Sequence, residues 1–327
     1  MTRTVIASRS KTIVMGFDEP FCVIGERINP SGREKLAAEL ERDDFSTVEK
    51  DALEQVACGA MMLDINSGAV FKNKMAEDPR YADNNFVEPD LMRKLVTTVQ
   101  AITDVPLCID SSVPGALEAG LEAAEGRPLL NSVTGEEERL ETILPLVKKY
   151  DVPVVAISND DTGISEDPDV RFAVAKKIVE RAADHGIPAH DIVVDPLLMP
   201  IGAMATAGQQ VFTLVRRLRE ELGVNTTCGA SNVSFGLPNR HGINAAFLPM
   251  AIASGMTSAI MNPVRPAEME AVAAANLLMN HDPNGAAWIS LSRTLDRMKD
   301  EGLRFPDAAK AAAAAGGGRG GRRRRRG

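Results

Sequence analysis

Short runs rich in Val, Ile and Leu recur along the chain, each followed by a longer segment of helical period, and this alternation restricts the fold more than any other feature. Repeated βα units require a parallel sheet with helices packed on its outer face. Eight pairs are present, with strands expected at 21–25, 61–65, 106–109, 128–130, 153–157, 192–194, 226–229 and 258–261. Eight such units in one chain are the sequence form of a (β/α)8 barrel, the TIM barrel, which commonly fills a single domain of this size. Few aromatic residues and abundant Ala, Val, Leu and Gly suit buried parallel strands better than a β-sandwich.

Helix starts support the count. Ser112 precedes Val113 and Pro114, Thr134 lies ahead of Glu136 and Glu137, and Asp167 precedes Pro168. In 209–222, Val211, Leu214, Val215 and Leu218 share one face while Arg216, Arg217 and Glu220 point away, as expected for a helix on the outside of a barrel. Residues 1–20 read as an extension whose segments 4–7 and 12–15 pair as a hairpin over one end of the barrel. The stretch 67–89 is long for a βα loop and reads as a lid. The barrel is expected to span 21–300, and the Ala-, Gly- and Arg-rich residues 301–327 to form a disordered tail.

The net charge of −8 becomes −14 once the six arginines at 319 and 322–326 are set aside. An acidic body lacks the clustered cations that phosphate neutralisation requires, so no nucleic-acid role is expected for the barrel. Cys22, Cys58, Cys108 and Cys228 form no C-x-x-C pair, and no metal site is expected. With no signal peptide and no apolar run long enough to span a bilayer, the sequence reads as a reduced, cytoplasmic protein without membrane contact. His185, His190 and His281 fall near helix ends and loops, and His241 lies beside Arg240; all four read as structural.

Nearly every expected strand ends in a polar residue: Glu26, Asp64 with Asn66, Asp110, Asn131, Asp195, and Ser231 with Asn232. In a barrel these ends share one rim, where the active site lies. Carboxylates and amides without Lys, Cys or paired His suit a neutral ligand that presents a fixed donor and acceptor edge. A pterin has such an edge: its N3–H and 2-amino group donate together to one carboxylate, and its other ring nitrogens need an amide and a second acceptor. Asp195, Asn131 and Asp110 match those needs. Each one, taken alone, has equal claim to be a helix cap or an Asx turn. Asp195 is followed by Pro196, which stops it from capping an immediate helix, and Asn232 sits between Ser231 and Val233 in a glycine-flanked turn, so those two favour a ligand.

The strings Ile-Gly-Glu-Arg-Ile-Asn at 24–29, Leu-Asp-Ile-Asn at 63–66, Leu-Cys-Ile-Asp-Ser at 107–111, Asn131 with Ser132, Asp-Pro-Leu at 195–197 and Ser-Asn-Val-Ser at 231–234 with Asn239 and Arg240 occur in that order. The chain thereby resembles the methyltetrahydrofolate:corrinoid methyltransferases over roughly 20–280, and also the folate domain of cobalamin-dependent methionine synthase and, more distantly, dihydropteroate synthase. The resemblance implies a TIM barrel in which Asp110, Asn131, Asp195, Gly229, Ser231 and Arg240 hold the pterin, with Glu26, Asp64 and Asn66 as further candidates. It places Asn232 at N5. It also implies methyl transfer between methyltetrahydrofolate and the cobalt of a cobalamin carried by a partner corrinoid protein, and a homodimer. The Asp-x-His-x-x-Gly string of a cobalamin-binding segment is missing from the chain.

Two rival readings belong beside this one. Dihydropteroate synthase shares the fold and pterin pocket but needs a Lys near the seventh strand, where this chain has Ser231, Asn232, Val233 and Ser234. An RNA-associated factor would instead act through the arginine-rich tail, a segment type that binds nucleic acid without structure. The direction of transfer is not encoded in these motifs.

Overall fold

The computed structural model describes residues 2–317. Eight parallel strands, β3 (Cys22–Ile28), β4 (Met62–Asn66), β5 (Leu107–Asp110), β6 (Leu129–Thr134), β7 (Val154–Ile157), β8 (Ile192–Asp195), β9 (Asn225–Thr226) and β10 (Ser258–Met261), pair in chain order, with β10 beside β3. A parallel bridge from Gly229 to Ile260 joins the two ends of the sheet and closes the barrel. The expected strands all form, with their ends shifted by at most four residues, and β9 pairs over a shorter stretch than expected.

Two-residue periodicity sorts the side chains. Cys22, Ile24, Met62, Cys108, Leu129, Val155 and Val193 point inward and pack together inside the barrel. Leu63, Ile65, Leu107, Ile109, Leu130, Val154, Ala156, Ile192 and Val194 point outward against the helices. Register shifts after Gly25 and after Asn131 turn Ile28 and Val133 outward.

Helices α1 (Glu34–Glu41), α2 (Ser46–Ala57), α3 (Lys72–Glu77), α4 (Asn84–Ile102), α5 (Pro114–Ala123), α6 (Glu137–Tyr150), α7 (Pro168–Asp184), α8 (Ala207–Arg217), α9 (Arg240–Ser254) and α10 (Pro266–Leu278) surround the strands. Asp167 caps α7 by accepting the Asp169 N–H at 2.8 Å, with Pro168 in the first turn. Thr134 instead ends β6, and Ser112 makes no cap: the residue before α5 is Val113, whose N–H is taken by Ser111 Oγ at 2.9 Å.

The extension forms the expected hairpin, β1 (Arg3–Ala7) and β2 (Thr12–Gly16), at the N-terminal end of the barrel. Ile6 and Met15 are sealed against the inward-facing strand residues. Burial of each contributes about 2–3 kcal/mol. Asn225 Nδ2 donates to Thr4 Oγ1 at 2.8 Å and to the Met15 carbonyl at 3.0 Å, which ties the hairpin to β9.

Two segments depart from expectation. Residues 67–89 are not a long loop: α3, a short turn over Pro79–Ala82 and the start of α4 occupy them, with Phe71, Tyr81 and Phe86 packed on one another. The disordered tail does not begin at 301. After α11 (Ala286–Asp300) a helix α12 (Phe305–Gly317) packs back on α2, and Phe305, Ala308 and Ala309 are buried. Alanine is the strongest helix former, and one apolar edge is enough to dock such a helix. The arginine run at 319 and 322–326 lies outside the described residues.

Candidate functional site

Inward parity continues past the packed layers to the C-terminal rim. One step above Met62 and Cys108 the same faces carry Asp64, then Asn66, Asp110 and Asn131, while β3 contributes Glu26 and β8 Asp195. Asn66, Asp110 and Asn131 stand opposite one another in register, and Ile157 stands opposite Asp195. Glu26, Asn66, Asp110, Asn131 and Asp195 thus end on one rim, where a cavity of about 660 Å³ is lined in part by Asn66, Asp110, Ser132 and Ile157.

Each side chain is held. Asn66 Nδ2 donates to Asp110 Oδ2 at 2.7 Å, and Asn66 Oδ1 accepts the Gly68 N–H at 2.9 Å, which fixes the amide's orientation. Gly25 lets β3 approach α2: a Cβ there would sit 2.5 Å from Gln55 Oε1, the oxygen that accepts the Arg27 N–H at 2.9 Å. Arg27 is drawn outward by the buried Asp51, at 3.0 Å, and Glu26 is left facing the mouth. The Ser231 hydroxyl lies against both Glu26 oxygens, and Arg240 clamps the turn that carries Ser231 by donating to the Ser231 carbonyl at 2.7 Å and to Ser234 Oγ at 3.1 Å.

Asn232 is exposed, and its amide lies beside Gly229 in the turn after β9: a Cβ on Gly229 would lie 3.0 Å from Asn232 Nδ2. Asp195 caps no helix, the next one beginning at Ala207, but it does make a local bond. Its Oδ1 accepts the Leu197 N–H at 2.8 Å in an Asx turn, and Oδ2 is left for another partner. Asp64 sits one layer below the rim beside Cys108 and Asn131, 2% exposed.

The rim crowds carboxyl groups into a poorly hydrated space. Burial pushes Asp195 and Asp110 up to about 6, Asp110 also feeling the nearby Glu88, while its bond from Asn66 pulls the other way. Asp64 is held well above the usual carboxylate range by burial and by the charge of Asp110, and Glu26 is raised mainly by burial. Such carboxyl groups are poised to accept hydrogen bonds from a neutral donor edge that replaces the lost water. Burial keeps all four cysteine thiols protonated, which fits their packing role.

Three charged residues near the rim lie outside the motif strings. Glu88 of α4 is buried and accepts Ser67 Oγ at 3.1 Å and Ser111 Oγ at 2.6 Å, beside Asp110. Arg139 of α6 lines the cavity and donates to the carbonyls of Ser112 and Ser132. Arg171 of α7 reaches the turn after Asp195. A signal existed for two of them. Glu88 falls in the stripe Met92, Leu95 and Val99, and Arg171 in the stripe Ala175, Ile178 and Ala182, where a charge has no place unless it meets a polar group beneath. His241 bonds Glu268, at 2.9 Å, at the edge of this region.

Residues 25–262 match the profile described as pterin binding enzyme. Among curated relatives, the methylcorrinoid:tetrahydrofolate methyltransferase of Eubacterium limosum is 28% identical over 80% of this chain and 92% of its own length. The methionine synthase of Mycobacterium tuberculosis is 26% identical over 90% of this chain, which spans only 24% of that longer protein. Among solved structures, the dihydropteroate synthase of Xanthomonas albilineans with 4-aminobenzoic acid superposes with a TM-score of 0.61 at 20% identity, covering 85% of this chain and 98% of the other. That of Yersinia pestis gives 0.59 at 16% identity, over 84% and 98% of the two chains. At such identities the structural likeness speaks for the barrel alone.

Proposed function

The chain belongs to the pterin binding enzyme family, and from that premise we propose that it transfers a methyl group between N5 of methyltetrahydrofolate and the cobalt of a corrinoid carried by a separate protein. The observation that carries this reading is the exposed Asn232 amide, without a hydrogen-bond partner among the described residues, beside Gly229 in the turn after β9, on the same end of the barrel as Asp110, Asn131 and Asp195. The Eubacterium limosum relative supports it, since its name pairs a methylcorrinoid with tetrahydrofolate and the alignment covers nearly all of that protein.

Asp195 accepts the N3–H and 2-amino donors of the pterin on its two oxygens, Oδ1 using the lone pair that the Leu197 N–H leaves free, while Asn131 and Asp110 meet the remaining ring nitrogens. With the flat edge held there, the ring presents N5 to Asn232. When the methyl carbon passes to Co(I), the C–N5 bonding pair stays on nitrogen, which takes up a proton. A primary amide donates to the N5 lone pair through Nδ2 or accepts from N5–H through Oδ1, so Asn232 stabilises N5 as its protonation changes without burying another charge. Glu26, through Ser231, and Arg240 hold the turn on which Asn232 rides. A homodimer is part of the same reading, by the likeness to the methyltransferases.

Anaerobic mixing of the enzyme with methyltetrahydrofolate and cob(I)alamin tests the proposal through the visible spectrum. Enzyme-dependent formation of methylcobalamin is expected. Failure to bind methyltetrahydrofolate at all would overturn it, and formation of dihydropteroate from p-aminobenzoate and a pterin pyrophosphate would replace it with the synthase reading.

A further inference from the structure

Arg171 is 1% exposed and is the bulkiest of the fully buried side chains among the described residues. A guanidinium in such a place ordinarily meets a carboxylate, because an uncompensated buried charge is costly. Here its hydrogen bonds all run to backbone carbonyls: Nε to Ser165, and Nη1 to Leu197 at 3.0 Å and to Pro196 at 3.3 Å. Nη2 is buried without a partner among the described residues, and burial lowers the guanidinium's own pKa. Packing of α7 needs none of this; an aliphatic residue would complete the stripe.

The two residues whose carbonyls it holds follow Asp195 directly. Leu197 lies at φ +59°, a left-handed conformation that a leucine rarely adopts, and its N–H is the one bonded to Asp195 Oδ1. On the other side, Ser158 donates to the Asp195 carbonyl from both N and Oγ, at 3.1 and 2.9 Å. The carboxylate is therefore aimed by a turn that is unfavourable by itself and is closed by Arg171. The charged and titratable groups that face Asp195 are Arg171 from α7 and the thiol of Cys228 beyond β9, with Glu166 facing Arg171 in turn. Arg171 is the cation among them, and it opposes the effect of burial on Asp195.

We propose that Arg171 is a positioning residue for Asp195: it clamps the Asp195-Pro196-Leu197 turn through two carbonyls and so aims the Asp195 carboxylate at the pterin's donor edge. The ligand half of this inference rests on the function proposed above; the coupling between Arg171 and Asp195 does not. The guanidinium reaches the Pro196 and Leu197 carbonyls with Nη1 and the Ser165 carbonyl with Nε, a spread over two nitrogens that the single ammonium of lysine does not reproduce, so Arg171→Lys and Arg171→Gln separate the clamp from the charge.

The experiment follows the Asp195 carboxyl by carbon NMR in the full chain, with Asp195→Asn for assignment, together with calorimetric binding of methyltetrahydrofolate from pH 5 to 8. In R171Q the Asp195 midpoint is expected to rise by about one pH unit and binding at pH 5 to weaken about tenfold, with recovery as the pH is raised. R171K is expected to keep the midpoint near that of the wild type while binding more weakly at every pH, and it decides the matter if R171Q does not fold. An unchanged midpoint in R171Q, or a rise in R171K as large as that expected of R171Q, would overturn the inference. A shifted midpoint in a protein that binds no methyltetrahydrofolate would leave the coupling standing and remove the folate reading instead.

Discussion

The Ser231 hydroxyl lies 2.9 and 3.0 Å from the two carboxylate oxygens of Glu26, joining the end of β3 to the turn after β9 across the intervening β10. Burial raises Glu26, and this hydrogen bond is the largest influence favouring its charged form. The same turn carries Asn232. Ser231→Ala is expected to lower turnover by about tenfold, the scale of one hydrogen bond to a charged group, with a smaller change in KM. Steady-state kinetics check this, and unaltered turnover would show that the turn holds its shape without Glu26.

Asn232→Ala is expected to reduce methyl transfer about a hundredfold, as for other single donors aimed at developing charge. The side chain is exposed, so its melting temperature should match that of the wild type. Gly229→Ala makes a second approach to the same atom, because the added methyl would meet Asn232 Nδ2 at 3.0 Å. An intermediate loss is expected, read as kcat in single-turnover spectroscopy.

Stability and binding should respond to pH in opposite senses. Asp110 and Asp195 are raised to about 6 in the folded protein against an ordinary value near 4. Folding thus favours their protonated forms, and this contribution is complete below about pH 4 and lost as the pH rises through about 6, at most about 2–3 kcal/mol for each group. Pterin binding needs the ionised Asp195 and strengthens over the same window. Thermal melts at pH 5 and pH 7 should show a larger stabilisation by tetrahydrofolate at pH 7, and Asp195→Asn should abolish that difference.

The hairpin is a structural plug. Ile6→Ala should lower the free energy of unfolding by about 2–4 kcal/mol, because a sealed cavity would remain beneath the barrel. Denaturant titration measures it. Methyltetrahydrofolate affinity should stay unchanged, since Ile6 packs at the opposite end from the rim.

Strand count and the identity of the polar strand ends are legible because they are local. A period of two places Asp110 above Cys108 and Asn131 above Leu129 wherever the chain is extended, so strand ends in Asp or Asn meet once eight strands close in order. The motif strings carried Asn232 and Arg240 for the same reason, as neighbours in one turn. Other features were misread locally. Alanines at 308–314 looked like tail because their partner, α2, lies some 250 residues earlier in the chain, and the segment at 67–89 looked like loop because its order comes from packing among Phe71, Tyr81 and Phe86.

What the sequence by itself determined is the alternation of elements and the identity of the residues at the mouth, both set by backbone periodicity within single strands. Only the tertiary structure decided how those residues are held: that Glu26 answers Ser231, that Glu88 reaches two serines beside Asp110, and that Arg171 closes the turn after Asp195. These contacts join groups 21 to 205 residues apart, and no periodicity relates such distant positions. They exist because closing the barrel removes water from the rim, so that each buried charge must find its partner within the fold.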